Sequence, residues 1–329
     1  MRCGLRGGDD ADRAAGVTGG GVMGDGWGGP IVDAHQHFWD PVVTRQPWLA
    51  PDVLIPFRYG DYSAIKRRYL PDNYRKDAAG CGIRQTVYVE TEWNPADPGG
   101  EVRYATSLAD RFGMPNAIVA QAWLDRDDVA AVLADHARSP LVRSVRHKPG
   151  GPARPAEVGH SRTLMSDDTW QRGYAVLGRY GLHFDLQTPW WNLDEAVRLA
   201  RDFPATVIIL NHAGLPAQRD ADSLQGWAAA LERFAACSNA VIKLSGLGVP
   251  GAAWTAAANG WIVRTAIAMF GAERAMFGSN FPVDSLCAPL PTIVHGFRAI
   301  LAELPDAAQA AFFAGTARRI YRLPADAGG

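Results

Sequence analysis

The sequence predicts an α/β chain folded as one single-domain (β/α)8 TIM barrel, and three observations lead there. Short apolar runs of strand length alternate eight times with segments of helical periodicity. No change of composition divides that alternation after residue 30. The polar residues that interrupt the runs cluster at their carboxyl ends, where a parallel barrel keeps its chemistry, although strands buried on both faces are otherwise almost continuously apolar.

Taken in order, the strand-like runs cover 31–37, 86–92, 117–123, 141–148, 182–187, 206–212, 240–245 and 274–280. Helical periodicity covers 101–112, 127–138, 167–180, 193–203, 223–237, 261–270 and 290–301, with a closing helix around 307–320. So many alternations in one chain favour a closed barrel over an open doubly wound sheet. No G-x-G-x-x-G or P-loop pattern follows the first run, which removes the main nucleotide-binding competitor. A Gly-x-Ser-x-Gly elbow is also missing, which argues against serine hydrolase chemistry.

A chain of 329 residues, 47% hydrophobic and 20% charged, is ample for one large core. Residues 1–29 are rich in Gly, Asp and Arg and hold no apolar block of signal-peptide length, so they are expected to form a disordered N-terminal tail. Met23 is an alternative start. The barrel is expected over 30–323, with a short C-terminal tail at 324–329. A net charge of −1 and scattered basic residues give no case for nucleic acid or a membrane surface. The expected partner is a small-molecule substrate, with a homo-oligomer left open. Cys3, Cys81, Cys237 and Cys287 lie far apart without C-x-x-C spacing, which suggests neither a zinc knuckle nor a disulfide framework and fits a cytoplasmic protein.

Reading only the carboxyl ends of the runs gives the candidate site. His35 and His37 end the first, one residue apart, so that period-two geometry turns both imidazoles to one side. Neutral imidazole is the commonest metal ligand, so the pair reads as half of a divalent-metal site, the alternative being two partly buried histidines with backbone partners. Glu90 and Glu92 end the second run, Gln121 the third, and Arg146, His147 and Lys148 the fourth. Gln187, His212, Lys243 with Ser245, and Asn280 with Asp284 end the remaining four. Arg146 and Lys148 alternate onto one face and suit a substrate carboxylate, or else pair with Glu90 and Glu92 across the rim. Trp39, Trp93, Trp123, Trp190 and Trp191 fall at or just after run ends and suggest an apolar roof for a ring-shaped substrate. Trp48 and Tyr59, in the long segment before the second run, are candidates for a lid.

His35-Gln36-His37-Phe38-Trp39-Asp40, Asn211-His212-Ala213-Gly214 and Met276-Phe277-Gly278-Ser279-Asn280-Phe281-Pro282 resemble the first, sixth and eighth strand motifs of the amidohydrolase superfamily. The resemblance is to the amidohydrolase-2 group, related to fuconolactonases and pyrone-dicarboxylate lactonase, and runs from about Pro30 to Leu323. It implies that His35, His37 and His212 face the active site as ligands of a divalent metal, zinc or manganese. The group also includes members described as metal-independent. The aspartate that the family carries on its eighth strand, as ligand or base, is replaced here by Asn280. Asparagine takes no proton at neutral pH and is a poorer ligand. The missing carboxylate is then supplied by Asp284, or by Glu90 or Glu92, or the site works without a base there. Asp284 ranks first as base, against the alternative of a loop or helix cap.

Related metal-dependent decarboxylases carry a fifth-strand histidine where this chain has Gln187. His183, four residues earlier, reads as a core or bottom-face residue. The expected activity is hydrolysis of a small cyclic ester, a lactone carrying a carboxylate or derived from a sugar acid or an aromatic catabolite. Water attacks the carbonyl, Arg146 or His147 steadies the oxyanion, and Asp284 shuttles the proton. Glu90, Lys148, Gln187, Trp39, Trp190 and Asn280 complete the expected substrate contacts. Alternatives are nonoxidative decarboxylation of an aromatic acid, or a degenerate barrel that binds a ligand without turning it over.

Overall fold

The computed structural model describes residues 26–44 and 46–324. Residues 1–25 and 325–329, on which most of the two expected tails fall, lie outside the described residues.

Eight parallel strands follow one another around a barrel in chain order. They are β1 (Ile31–Gln36), β2 (Ile83–Val89), β3 (Ala117–Gln121), β4 (Val142–Arg146), β5 (His183–Leu186), β6 (Ile208–Leu210), β7 (Ala240–Leu244) and β8 (Ala275–Phe277). The ring closes just beyond β8, where Asn280 N–H donates to His35 O at 2.7 Å and His37 N–H donates to Phe281 O at 2.8 Å. The same two bonds that close the barrel therefore carry Asn280 to the two histidines of β1.

The helical layer comprises α1 (Pro71–Asp77), α2 (Gly100–Phe112), α3 (Val129–His136), α4 (Asp168–Val176), α5 (Leu193–Asp202), α6 (Ala221–Ala235), α7 (Ala256–Phe270), α8 (Leu290–Leu301), α9 (Asp306–Ala310) and α10 (Thr316–Tyr321). Local chemistry sets several ends. Asp167, Asp220 and Thr255 cap α4, α6 and α7 through side-chain bonds to the amides of Trp170, Ser223 and Ala258. Gly113, at φ 68°, ends α2 in the left-handed conformation. Helix α1 is missing from the periodicity reading because seven residues hold too few turns to repeat a pattern. Its signal was Pro71 in the first turn followed by Asp72. The closing helix of the sequence reading is three pieces, with a π-helical turn at Ala311–Gly315 between α9 and α10.

A large apolar layer between strands and helices forms the main core, and a second cluster fills the barrel itself. There Val32, Ala34, Val87, Val89, Val119, Ile209, Val241 and Met276 meet Ala317, Ile320, Tyr321 and Leu323 from the end of the chain, which plugs the floor. One ion pair is buried among them. Lys243 Nζ donates to Asp185 Oδ1 at 2.6 Å with both side chains fully enclosed, and Tyr321 Oη donates to the same carboxylate at 3.0 Å. His183 lies at the amino end of β5 with Nε2 against Ile320 O at 3.0 Å, on the floor side as its spacing implied. Among the described residues no helix is long and apolar enough to cross a membrane.

Candidate active site

The strands stop short of their apolar runs, and the polar residues stand just past the last ladder bonds. His37 follows β1, Glu90 and Glu92 follow β2, His212 follows β6 and Asn280 follows β8. Glu92, His212 and Asn280 have φ of 59°, 52° and 57°, a left-handed conformation that costs non-glycine residues energy. Three such residues stand around one opening.

The three imidazoles meet there. Ring centroids are 5.1 Å apart for His35 and His37 and 4.4 Å apart for His35 and His212. Two glycines make room. A Cβ on Gly278 would lie 2.7 Å from His35 Cβ, and one on Gly246, at φ +60°, would lie 2.6 Å from His212 Nδ1. Burial pushes all three rings below the ordinary histidine range, His37 to about 3, helped by Arg146 beside His37 and by Arg58 beside His212. They are neutral at pH 7, the form that binds metals.

Hydrogen bonds fix which nitrogens are free. His37 Nδ1 lies 2.8 Å from Val89 O, which can only accept, so Nδ1 carries the proton and Nε2 the lone pair. That lone pair faces Asn280 Oδ1 at 3.2 Å, a second acceptor. Asn280 is held in this sense because its Nδ2 donates to Asp284 Oδ1 at 2.6 Å. Asp284, buried, is pushed up to about 6 by desolvation, restrained by Arg58, Asn280 and Tyr59, and is ionised at neutral pH. Turning the amide over would satisfy His37 only by setting an oxygen against that carboxylate. His35 adds two buried ring nitrogens without a partner, and His212, whose Nδ1 meets Ser245 Oγ at 2.9 Å, lines the cavity.

The facing lone pairs of His37 Nε2 and Asn280 Oδ1, with a free ring nitrogen on His35, fit a cation. His37 Nε2 and Asn280 Oδ1, 3.2 Å apart, are close enough for one cation to be shared between them. Among the described residues no group of three or more His, Cys, Asp or Glu side chains is spaced to hold an ion as it stands. The fit therefore lies in the donor chemistry, with the Asn280 carbonyl included, and not in a closed shell of the usual ligands.

A cavity of about 310 Å³ opens over this cluster. His37, His212, Asn280, Glu90, Glu92, Arg146, Lys148 and Gln187 line its polar part, and Trp39, Trp48, Phe57 and Tyr59 its apolar wall. Arg146 is enclosed. Its Nε pairs with Glu90, Nη2 donates to Glu90 O at 2.6 Å and Nη1 to Gln187 Oε1 at 2.8 Å. Lys148 pairs with Glu92 at 2.7 Å on the half-exposed rim. Both cations thus take the ion-pairing alternative of the sequence reading in place of an open fork, and Arg146 holds the Gln187 amide by its oxygen, so that among the described residues its Nε2 has no protein partner.

The remaining expected residues lie elsewhere. His147, the middle residue of an alternating triplet, points to the helical layer, where Leu124 N–H and Trp170 Nε1–H both donate to its Nδ1 at 3.1 and 2.9 Å. An oxyanion at the cavity is therefore out of its reach, correcting that expectation. Trp190 packs across Gly226 of α6 and against Trp191, so it is not part of the cavity wall. Asp284 is a layer back, behind Asn280 and Tyr59, whose hydroxyl donates to Asp284 Oδ1 at 2.9 Å. Lys243 lies inside the barrel with Asp185. The sequence reading missed Arg58, which hangs over the cavity from a loop without periodicity; its only signal was a cation between Phe57 and Tyr59.

Against known proteins, the family model described as Amidohydrolase (Amidohydro_2) matches residues 32–323. The chain belongs to this amidohydrolase family. The amidohydrolase is 36% identical over 299 residues to a Sinorhizobium fredii protein named "Uncharacterized protein y4mH", covering 89% of this chain and 98% of that protein. It is 28% identical over 305 residues to the L-fucono-1,5-lactonase of Burkholderia multivorans, covering 89% and 96%. Among solved structures, an amidohydrolase from Burkholderia multivorans with bound Zn superposes with a TM-score of 0.74 at 26% identity, covering 90% and 100%.

Proposed function

We propose that this amidohydrolase hydrolyses a small lactone at the cavity above the imidazole cluster. The observation that carries the reading is that His37, His212 and the Asn280 carbonyl converge on the floor of a cavity of about 310 Å³, with the His35 ring packed against both other imidazoles just beneath. That volume suits a single small ring, and the walls of Trp39, Trp48, Phe57 and Tyr59 suit its faces. The likeness to an L-fucono-1,5-lactonase supports a cyclic ester as substrate.

His35, His37 and His212, with Asn280 Oδ1, are the residues that would hold a divalent ion, zinc or manganese, which supplies Lewis-acid polarisation of a carbonyl and acidification of water. The Zn-bound relative supports this choice. The chain's own residues do the rest. Gln187, held by Arg146 through Oε1, offers its Nε2 hydrogens to the carbonyl oxygen as charge develops there. Tyr59 accepts a proton from the attacking water while passing its own to Asp284, and the reverse transfer protonates the leaving alkoxide. Asp284 acts as base through Tyr59, because the lid stands between that carboxylate and the substrate.

Turnover of a panel of sugar lactones, muconolactones and pyrone carboxylates tests the reading. Wild-type protein hydrolyses members of the panel, and His212→Ala and Asp284→Asn each lower kcat/KM by about 10²-fold or more. Near wild-type rates in both variants overturn it.

A further inference from the structure

Three cations line the cavity, and they are not equivalent. Arg146 is neutralised by Glu90 and Lys148 by Glu92. Arg58 differs: among the described residues it has no carboxylate hydrogen-bond partner, its Nη2 donates to Gly246 O and, at 3.5 Å, to Gly248 O, and its guanidinium lies 4.8 Å from the Tyr59 ring centroid. A guanidinium has five donors, so Nε and Nη1 remain without acceptors. The group sits next to the chemistry, since a Cβ on Gly246 would lie 2.6 Å from His212 Nδ1 and 3.2 Å from Arg58 Nη1.

A second guanidinium reinforces the charge. Arg219 donates to Leu247 O at 2.9 Å on the same loop and to Asn259 Oδ1 at 3.3 Å in α7, again with no carboxylate partner among the described residues. Its Nη1 is buried and unpartnered. Carbonyls 246, 247 and 248 are thus each met by a guanidinium, while the nearby Asp284 carboxylate is taken up by Asn280 and Tyr59. Asp284 feels the charge of Arg58, but two guanidinium groups stand around that one carboxylate, and a half-buried site with surplus positive charge and open donors attracts an anion.

We propose that Arg58 is the specificity-determining residue of the cavity, reading a carboxylate carried by the substrate from the lid, a task for which Arg146 is not free and for which Lys148, paired with Glu92 on the rim, is less well placed. The substrate class is then an anionic lactone, its carboxylate against Arg58 and its ester carbonyl over the imidazoles. The proposal rests on the lactonase reading for its substrate but not for its anion site.

Two measurements separate the two ideas. The first is calorimetric binding of pyroglutamate, a carboxylated cyclic amide, against neutral pyrrolidone. Wild-type protein prefers the carboxylate by about tenfold or more, Arg58→Gln removes the preference, and Arg58→Lys restores part of it. The second is the ratio of kcat/KM for a carboxylated γ-lactone to that for γ-butyrolactone, which falls by about tenfold or more in Arg58→Gln whatever happens to the absolute rates. A binding preference that depends on Arg58 without hydrolysis of either lactone keeps the anion site and removes the lactonase. No preference in wild type, or one that survives in Arg58→Gln, overturns the proposal even if both lactones are turned over.

Discussion

Asn280 Oδ1 stands 3.2 Å from His37 Nε2, two acceptors facing each other at the seam that closes the barrel. Asp284 imposes this orientation, and an asparagine at 280 thereby has a physical role: a neutral oxygen is presented where a second carboxylate would be repelled by Asp284. Asn280→Asp is expected to destabilise the metal-free protein, because two carboxylates then share one enclosed site, and to bind zinc more tightly by about tenfold or more. Thermal unfolding of the stripped protein and competition with a chelator measure the two effects. Equal zinc affinity in variant and wild type would remove Asn280 from the ligand set.

Metal removal gives a second expectation. Exhaustive chelation lowers lactone turnover by about 10²-fold or more and zinc or manganese restores it, while His35→Ala no longer responds to added metal. Full activity after chelation, checked by elemental analysis, would mean that the imidazoles work alone.

Tyr59→Phe keeps the lid's ring and deletes the hydroxyl that touches Asp284. A loss of about 10- to 10³-fold in kcat with KM little changed is expected if protons pass through it. An equal effect on KM alone would make Tyr59 a wall and no more.

Stability should depend on pH through Glu101, whose Oε1 accepts from Tyr88 Oη, Thr91 N and Thr91 Oγ1 while Oε2 is buried without a partner. Burial, and secondarily the charge of Glu90, pushes it up to about 7, with Tyr104 the other titratable group near it. A carboxyl whose pKa is raised in the fold keeps its proton there while the unfolded chain has lost it. The contribution is full below about pH 4.5 and is lost progressively up to about 7, at about 1.4 kcal/mol per pH unit. Glu101→Gln removes that slope. Urea unfolding at several pH values measures it, and parallel slopes in wild type and variant would refute the assignment.

Lys243→Met leaves the Asp185 carboxylate enclosed without its cation and is expected to cost about 3–5 kcal/mol. The double variant with Asp185→Asn should recover part of the loss, as seen in denaturant midpoints. Additive losses would contradict the pairing.

Strand order and the meeting of His35, His37 and His212 were legible because both follow from period and from the rule that barrel chemistry sits at carboxyl ends. His147 was expected at the oxyanion, although it alternates with Arg146 and Lys148, because no local pattern reveals that Leu124 and Trp170 hold its ring in the helical layer. What the sequence hid was pairing. Whether Arg146 faces substrate or Glu90 depends on the distance between two strand ends, which no local pattern encodes. Asp284 and Arg58 were hidden for a related reason. Loops carry no periodicity, so Asp284's withdrawal behind Tyr59 and Arg58's reach to Gly246 exist only once the lid is in place.

Tyr321 carries one last implication. Its hydroxyl completes the shell of Asp185 beneath the cavity, so the helix that plugs the floor also finishes the buried charge pair. Sealing the cylinder and satisfying that enclosed carboxylate are therefore a single event, and loosening α10 undoes both together.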